Sequence, residues 1–155
     1  MTRVLSFVLL FCIGFESAAV GAVRGKAAKY VGGTVGSIKE NTDGKFEFGD
    51  RNATFAAKGG PVLVISFDKI TSLEYGQKAG RRLGMAIAIS PLFLFSKKRR
   101  HFLTIGFQDD SGKQQGAVFE LSKGIVHETL SLLETKSGKK VEYESEEARK
   151  HAQGH

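Results

Sequence analysis

The chain has 155 residues, 41% of them hydrophobic and 25% charged, which fits one globular domain and excludes disorder for its middle. Its formal net charge is +7. That surplus is confined to one stretch described below, which excludes a generally cationic nucleic-acid binder.

Residues 1–22, "MTRVLSFVLLFCIGFESAAVGA", carry Arg3, an apolar run from Val4 to Phe15 and then small residues. This is the layout of a secretory signal peptide. It predicts export to a bacterial periplasm or cell envelope, or secretion. The alternative is a membrane anchor, because an uncleaved Val4–Val23 helix could span the roughly 30 Å of hydrocarbon. Cys12, the single cysteine, lies in this run. A processed chain would therefore hold no disulfide and depend on packing alone.

Residues 23–28 are small and basic, a flexible lead-in. Strands are expected from Lys29. "KYVGGTVGSI" carries Tyr30, Val31, Val35 and Ile38 among glycines, and Asp43-Gly44 in "NTDGK" reads as a hairpin turn. "KFEFGD" sets Phe46 and Phe48 against charged neighbours, the period of a half-buried strand, and "NATFAAK" continues it. "KGGP" at 58–61 is a turn. "VLVISF", Val62 to Phe67, is continuously apolar and β-branched, as a central strand would be. "ITSLEYG" alternates Ile70, Ser72 and Glu74 with Thr71, Leu73 and Tyr75.

Next comes "RRLGMAIAISPLFLFSKKRR", Arg81 to Arg100. Its six cations, Arg81, Arg82, Lys97, Lys98, Arg99 and Arg100, account for six of the seven net charges. Between them run thirteen uncharged, mostly apolar residues, Leu83 to Phe95, with Leu92, Phe93 and Phe95 the bulkiest after Pro91. As a helix they would reach about 20 Å, too short for a bilayer. "HFLTIGFQDDSGKQQGAVFEL" is a hairpin turning at "DDSGK". A helix is expected over about 122–137, capped by Ser122, with Val126, Leu130 and Leu133 on one face and Gly138 terminating it. "KKVEYE" adds a short strand, and 145–155 is a polar tail.

Six or seven strands followed by one helix, without strand–helix alternation, disfavour a parallel sheet. The fold class is mainly β with one C-terminal helix. "DGKFEF", "VISFDKITSLEYG", "LTIGFQDDSGKQQGAVFEL" and the helix through Leu133 resemble, in order and spacing, bacterial pleckstrin-homology-like and GRAM-like domains. The likeness covers Lys29 to Lys136, within a single domain at 29–144. It implies an antiparallel, partly open barrel or sandwich capped by an amphipathic helix, with 81–100 as an apolar insertion. It also implies a binding module without catalysis. Two departures stand out: the chain has no Trp, and "SIKENTDGK" lacks the basic cluster of phosphoinositide binders.

The working surface expected is 81–100. In one reading its tip dips into a membrane interface or meets a protein partner, with Arg81, Arg82, Leu92, Phe93, Phe95 and Lys97 to Arg100 in contact. In the other, a structural or oligomerising envelope protein buries the stretch in its core or between subunits. Such a patch needs cover from barrel, partner or lipid. No nucleophile–base set, phosphate loop or metal set is recognisable, so the expectation is a non-enzyme without cofactor. Asn52-Ala53-Thr54 matches a glycosylation acceptor, His151 and His155 have a helical metal spacing, and Asp109–Asp110 could touch calcium. Each is better read as a chance pattern, a polar tail and a turn, respectively. No RNA-binding spacing accompanies Phe93 and Phe95, so nucleic acid is not an expected partner.

Overall fold

The structure, a computed structural model, describes residues 25–77 and 100–153. Among them lie eight strands: β1 (Lys26–Gly33), β2 (Thr42–Phe48), β3 (Asn52–Ala57), β4 (Val62–Ser66), β5 (Ile70–Gly76), β6 (His101–Gln108), β7 (Gln114–Leu121) and β8 (Val141–Tyr143). Two helices follow β7, namely α1 (Val126–Ser137) and α2 (Glu146–Ala152). All eight strands form one sheet in the order β4-β3-β2-β1-β7-β6-β5-β8. The fold is mainly β with a C-terminal helix, and the sheet is open at β4 and β8.

This sheet cannot be flat. β4 and β5 stand first and seventh in it, yet only the three residues of a 3-10 turn, Phe67–Lys69, join them. Six strand spacings in a flat sheet would be about 29 Å. The four steps from Ser66 to Ile70 reach at most about 14 Å. The sheet must therefore curl until its first strand approaches its seventh. Register shifts at Tyr30/Gly32 in β1 and Ile70/Ser72 in β5 help it bend. The second shift also puts Ile70 on the same inner face as Leu73 and Tyr75.

Phe119 of β7 stands at the centre of the concave face. Its ring lies 4.6 Å from Phe46, 5.0 Å from Phe55 and 5.7 Å from Tyr30. Phe55 sits three strands away, about 14 Å in a flat sheet, so these contacts record the curl directly. Leu73, Leu103, Ile105, Ala117 and Ile65 complete the core, and Val126, Leu130 and Leu133 of α1 close it. Lys26, almost fully buried, pairs with Glu128 of α1. Gly138 ends α1 in the left-handed conformation at φ 68°, where its missing Cβ avoids strain.

Several expectations need correction. β1 begins at Lys26, so the lead-in at 23–28 is partly strand. Asp43-Gly44 does not turn; it lies inside β2. The reversal precedes it, with Asn41 at φ 63°. Glycine is needed at 44 because a Cβ there would stand 2.4 Å from the Phe55 ring and 2.5 Å from the Ala56 carbonyl. Residues 52–57 do not continue β2; the chain reverses at Gly49–Arg51 and returns as β3, antiparallel to it. "VLVIS" is an edge strand and not a central one, with Val62 and Val64 more than half exposed.

The sheet is also not wholly antiparallel, since β8 pairs with β5 in parallel. Residues Lys123–Ile125 form a 3-10 turn before α1, and the Ser122 side chain caps nothing there. The tail is not loose: Ser145 Oγ accepts the Ala148 N–H at 3.1 Å, and Ala148 and Ala152 of α2 are buried. The segment 1–22 lies outside the described residues.

Gly44→Ala is expected to lower unfolding free energy by about 1–3 kcal/mol through steric overlap. Gly36→Ala, where a Cβ meets nothing within 4 Å, should stay within about 0.5 kcal/mol. Thr129 of α1 is fully buried and its hydroxyl has no partner, so Thr129→Val should stabilise by about 1 kcal/mol. Urea unfolding of the three variants checks all of these.

Candidate functional site

Of the expected surface residues, Arg81, Arg82, Leu92, Phe93, Phe95, Lys97, Lys98 and Arg99 lie outside the described residues. Arg100 is described. Its guanidinium donates to Glu120 Oε2 of β7 at 2.8 Å, with both side chains about a quarter to a third exposed. At the other end of the β5–β6 connection, the Gln77 N–H donates to Glu144 Oε2 at 2.8 Å. These two anchors are neighbours, because Gly76 pairs with Phe102 across β5 and β6.

That juxtaposition constrains the cations. Arg99 is bonded to Arg100, and Lys97 and Lys98 precede it directly. Arg81 follows Gln77 by four residues, so even a fully extended chain keeps it within about 14 Å of that anchor. The two described ends of the connection thus stand side by side at one end of the sheet. Beside the Arg100–Glu120 pair lies an open hollow of about 500 Å³, bordered by Ala27–Lys29 of β1, Asp43–Gly44 of β2 and Leu121–Ser122. Lys29 and Asp43 pair there at 3.4 Å.

Sequence reasoning missed a second concavity, at the opposite end of the sheet. A cleft of about 370 Å³ has Val35, Leu63, Ile65 and Phe107 as its apolar lining and Thr34, Lys69, Asp109 and Gln115 as its polar lining. Its walls come from the β1–β2 loop, β4 and the β6–β7 hairpin, so no local motif marks it. Its polar groups are mutually engaged. Asp109 Oδ1 accepts the Ser111 and Lys113 N–H groups and the Ser111 hydroxyl, while Oδ2 accepts Gln115 Nε2. The side-chain bonds from Ser111 and Gln115, with the backbone ones, hold the Asp109 carboxyl down at about 2. Lys69 donates to Asp110 at 2.6 Å. The "DDSGK" aspartates therefore serve the turn.

His101 opens β6 and is half-buried. Tyr75 Oη lies 2.5 Å from its Nδ1, and the rings stack with centroids 6.1 Å apart. Burial pushes the Tyr75 phenol up to about 12, so it keeps its proton and shares a hydrogen bond with the imidazole. Desolvation, then the nearby His151 of α2 and Lys123, hold His101 below the usual histidine range. Among the described residues, no three His, Cys, Asp or Glu side chains stand together as a metal site. No described helix is long and apolar enough to cross a membrane. His155, the partner of His151 in the expected spacing, lies outside the described residues. In comparisons, no protein-family model matches the chain, and no curated protein matches it.

Because the folded His101 holds its proton less tightly than an unfolded histidine, its stabilising contribution is complete at pH above about 6.5. It is lost as pH falls through and below that value. His101→Gln is expected to flatten this acid limb of the stability curve, as followed by urea midpoints across pH.

Proposed function

We propose that this chain is an exported, non-enzymatic binding module with a pleckstrin-homology-like or GRAM-like architecture, acting at an anionic membrane surface. The β5–β6 connection is its working surface. The observation that supports this most is the coincidence of charge and tethering: seven cations, Lys78, Arg81, Arg82, Lys97, Lys98, Arg99 and Arg100, sit without an acid on one connection whose ends, Gln77 and Arg100, are anchored side by side. A strand order in which β1 bridges β2 and β7, with a helix after β7, supports the family resemblance.

In this reading Arg81, Arg82, Lys97, Lys98 and Arg99 face the headgroups. Each cation near an anionic leaflet adds about 1 kcal/mol before screening. Salt weakens the sum, since the Debye length is about 8 Å at physiological ionic strength. Arg100, already on Glu120, holds the end of the connection in place. A second reading, a structural protein with 83–95 buried, gains support from Val31, Val118 and Phe102, which are buried although they lie outside the inner core cluster.

The chain should co-sediment with vesicles containing phosphatidylglycerol and not with pure phosphatidylcholine. Binding should fall steeply with added salt and be lost in the triple variant Lys97→Glu, Lys98→Glu, Arg99→Glu. Equal binding to both vesicle types, or an unaffected triple variant, would refute a lipid surface built from these cations.

A further inference from the structure

β4 is the first strand of the sheet, so one of its long sides has no neighbouring strand among the described residues. The ladder to β3 fixes what that side displays. The Ala57 N–H donates to the Pro61 carbonyl at 3.2 Å, and the Phe67 N–H donates to the Arg51 carbonyl at 2.9 Å. Antiparallel strands turn alternate residues toward their partner. Pro61, Leu63, Ile65 and Phe67 therefore face β3, and Val62, Val64 and Ser66 turn their N–H and C=O groups to the open side.

The side chains repeat this alternation. Leu63 and Ile65 lie opposite Phe55 and Ala53 and pack on the core, so Val62 and Val64 point outward. These two valines are 57% and 54% exposed, and they are the large hydrophobic side chains left open among the described residues. An open backbone and open apolar side chains thus coincide on one strand. Folded proteins blunt such an edge with charge, proline, a bulge or extreme shortness. At the other edge, β8 has three residues and an exposed Glu142. β4 has five residues, with no charge, no proline and no register shift against β3.

We propose that β4 is a self-association edge whose partner is β4 of a second copy, paired antiparallel about a two-fold axis at Val64. In this register Val64 faces its own counterpart and Val62 faces Ser66, so the residues with open backbone groups meet one another. Each such pair exchanges both hydrogen bonds. The patch is self-complementary, as a two-fold interface requires. No like charges meet along it, because residues 62–66 are neutral. At its ends the exposed Asp68 of one copy comes against the Lys58–Gly60 turn of the other, where Lys58 is exposed. Lys69, next to Asp68, is already held by Asp110 at 2.6 Å. A parallel pairing would instead set Lys58 against Lys58. So short an edge buries less than a standard interface, which makes this a dimer that dissociates on dilution. The proposal goes beyond the lipid surface and does not depend on it.

Sedimentation velocity of the full-length protein without vesicles, over a dilution series, should show a reversible monomer–dimer equilibrium. Val64→Lys sets two cations face to face at the axis, and Val64→Glu sets two anions there. Each variant alone should be monomeric where the parent chain is dimeric. An equimolar mixture of the two should regain dimer, because the charges at the axis are then opposite. Glu142→Lys, at the other edge, should leave association unchanged. If circular dichroism shows either Val64 variant unfolded, Val64→Ser replaces the pair, with a several-fold weaker dimer expected. A chain that stays monomeric at every concentration would overturn the proposal. So would association indifferent to the Val64 variants, or a mixture that associates no better than either variant alone.

Discussion

The structure depends on a conflict between sheet order and chain length. Hydrogen bonding places β4 and β5 at distant positions in one sheet, and a three-residue turn forbids that distance. Curling is the only geometry that satisfies both. Everything on the concave side follows from the curl. Rings from β2, β3 and β7 meet around Phe119, although no two of those strands but β2 and β3 are neighbours. The remaining open end of the barrel is an apolar mouth that α1 fills with Val126, Leu130 and Leu133. The tail then shields β5, whose outer edge would otherwise be an exposed ladder, by adding β8 and folding α2 behind it.

Function, as proposed, sits on the side that the core does not use. The concave face is consumed by aromatic packing and the helix plug. The cleft between the β1–β2 loop and the β6–β7 hairpin spends its polar groups on one another, with Asp109 satisfied on both oxygens. What is left is the convex face and the connection that leaves and re-enters it between Gln77 and Arg100. A greasy segment with charged shoulders needs cover, from the sheet, a partner or lipid.

Much of the sheet was legible because alternation is a local signal. Phe46 and Phe48, the 101–121 hairpin, the α1 face and Gly138 each declare themselves within a few residues. The failures share one physical origin, which is that the deciding partner is remote. Asp43-Gly44 has turn chemistry, but its glycine answers to Phe55 across the sheet. Val62 and Val64 have the composition of a central strand, yet their position in the strand order leaves them at an edge. The parallel pairing of β8 and the burial of Ala148 and Ala152 carry no periodic mark in so short a tail. The cation clusters were legible as composition. That the two ends of their connection stand side by side required the β5–β6 register, and the burial of Val31, Phe102 and Val118 falls outside the inner core, where alternation alone does not announce it.

The central position of Phe119 has a temporal side. Ala28 of β1 must find Leu121 of β7, near the far end of the domain, before the barrel can close. As the chain emerges amino end first, β1 to β4 can zip as a meander, but Phe46 and Phe55 then wait with no ring to pack against. This closing pairing joins residues far apart in sequence, which slows folding. Throughout that interval the aromatic face is a sticky, half-made surface, and a chaperone or holding factor would find its best grip there.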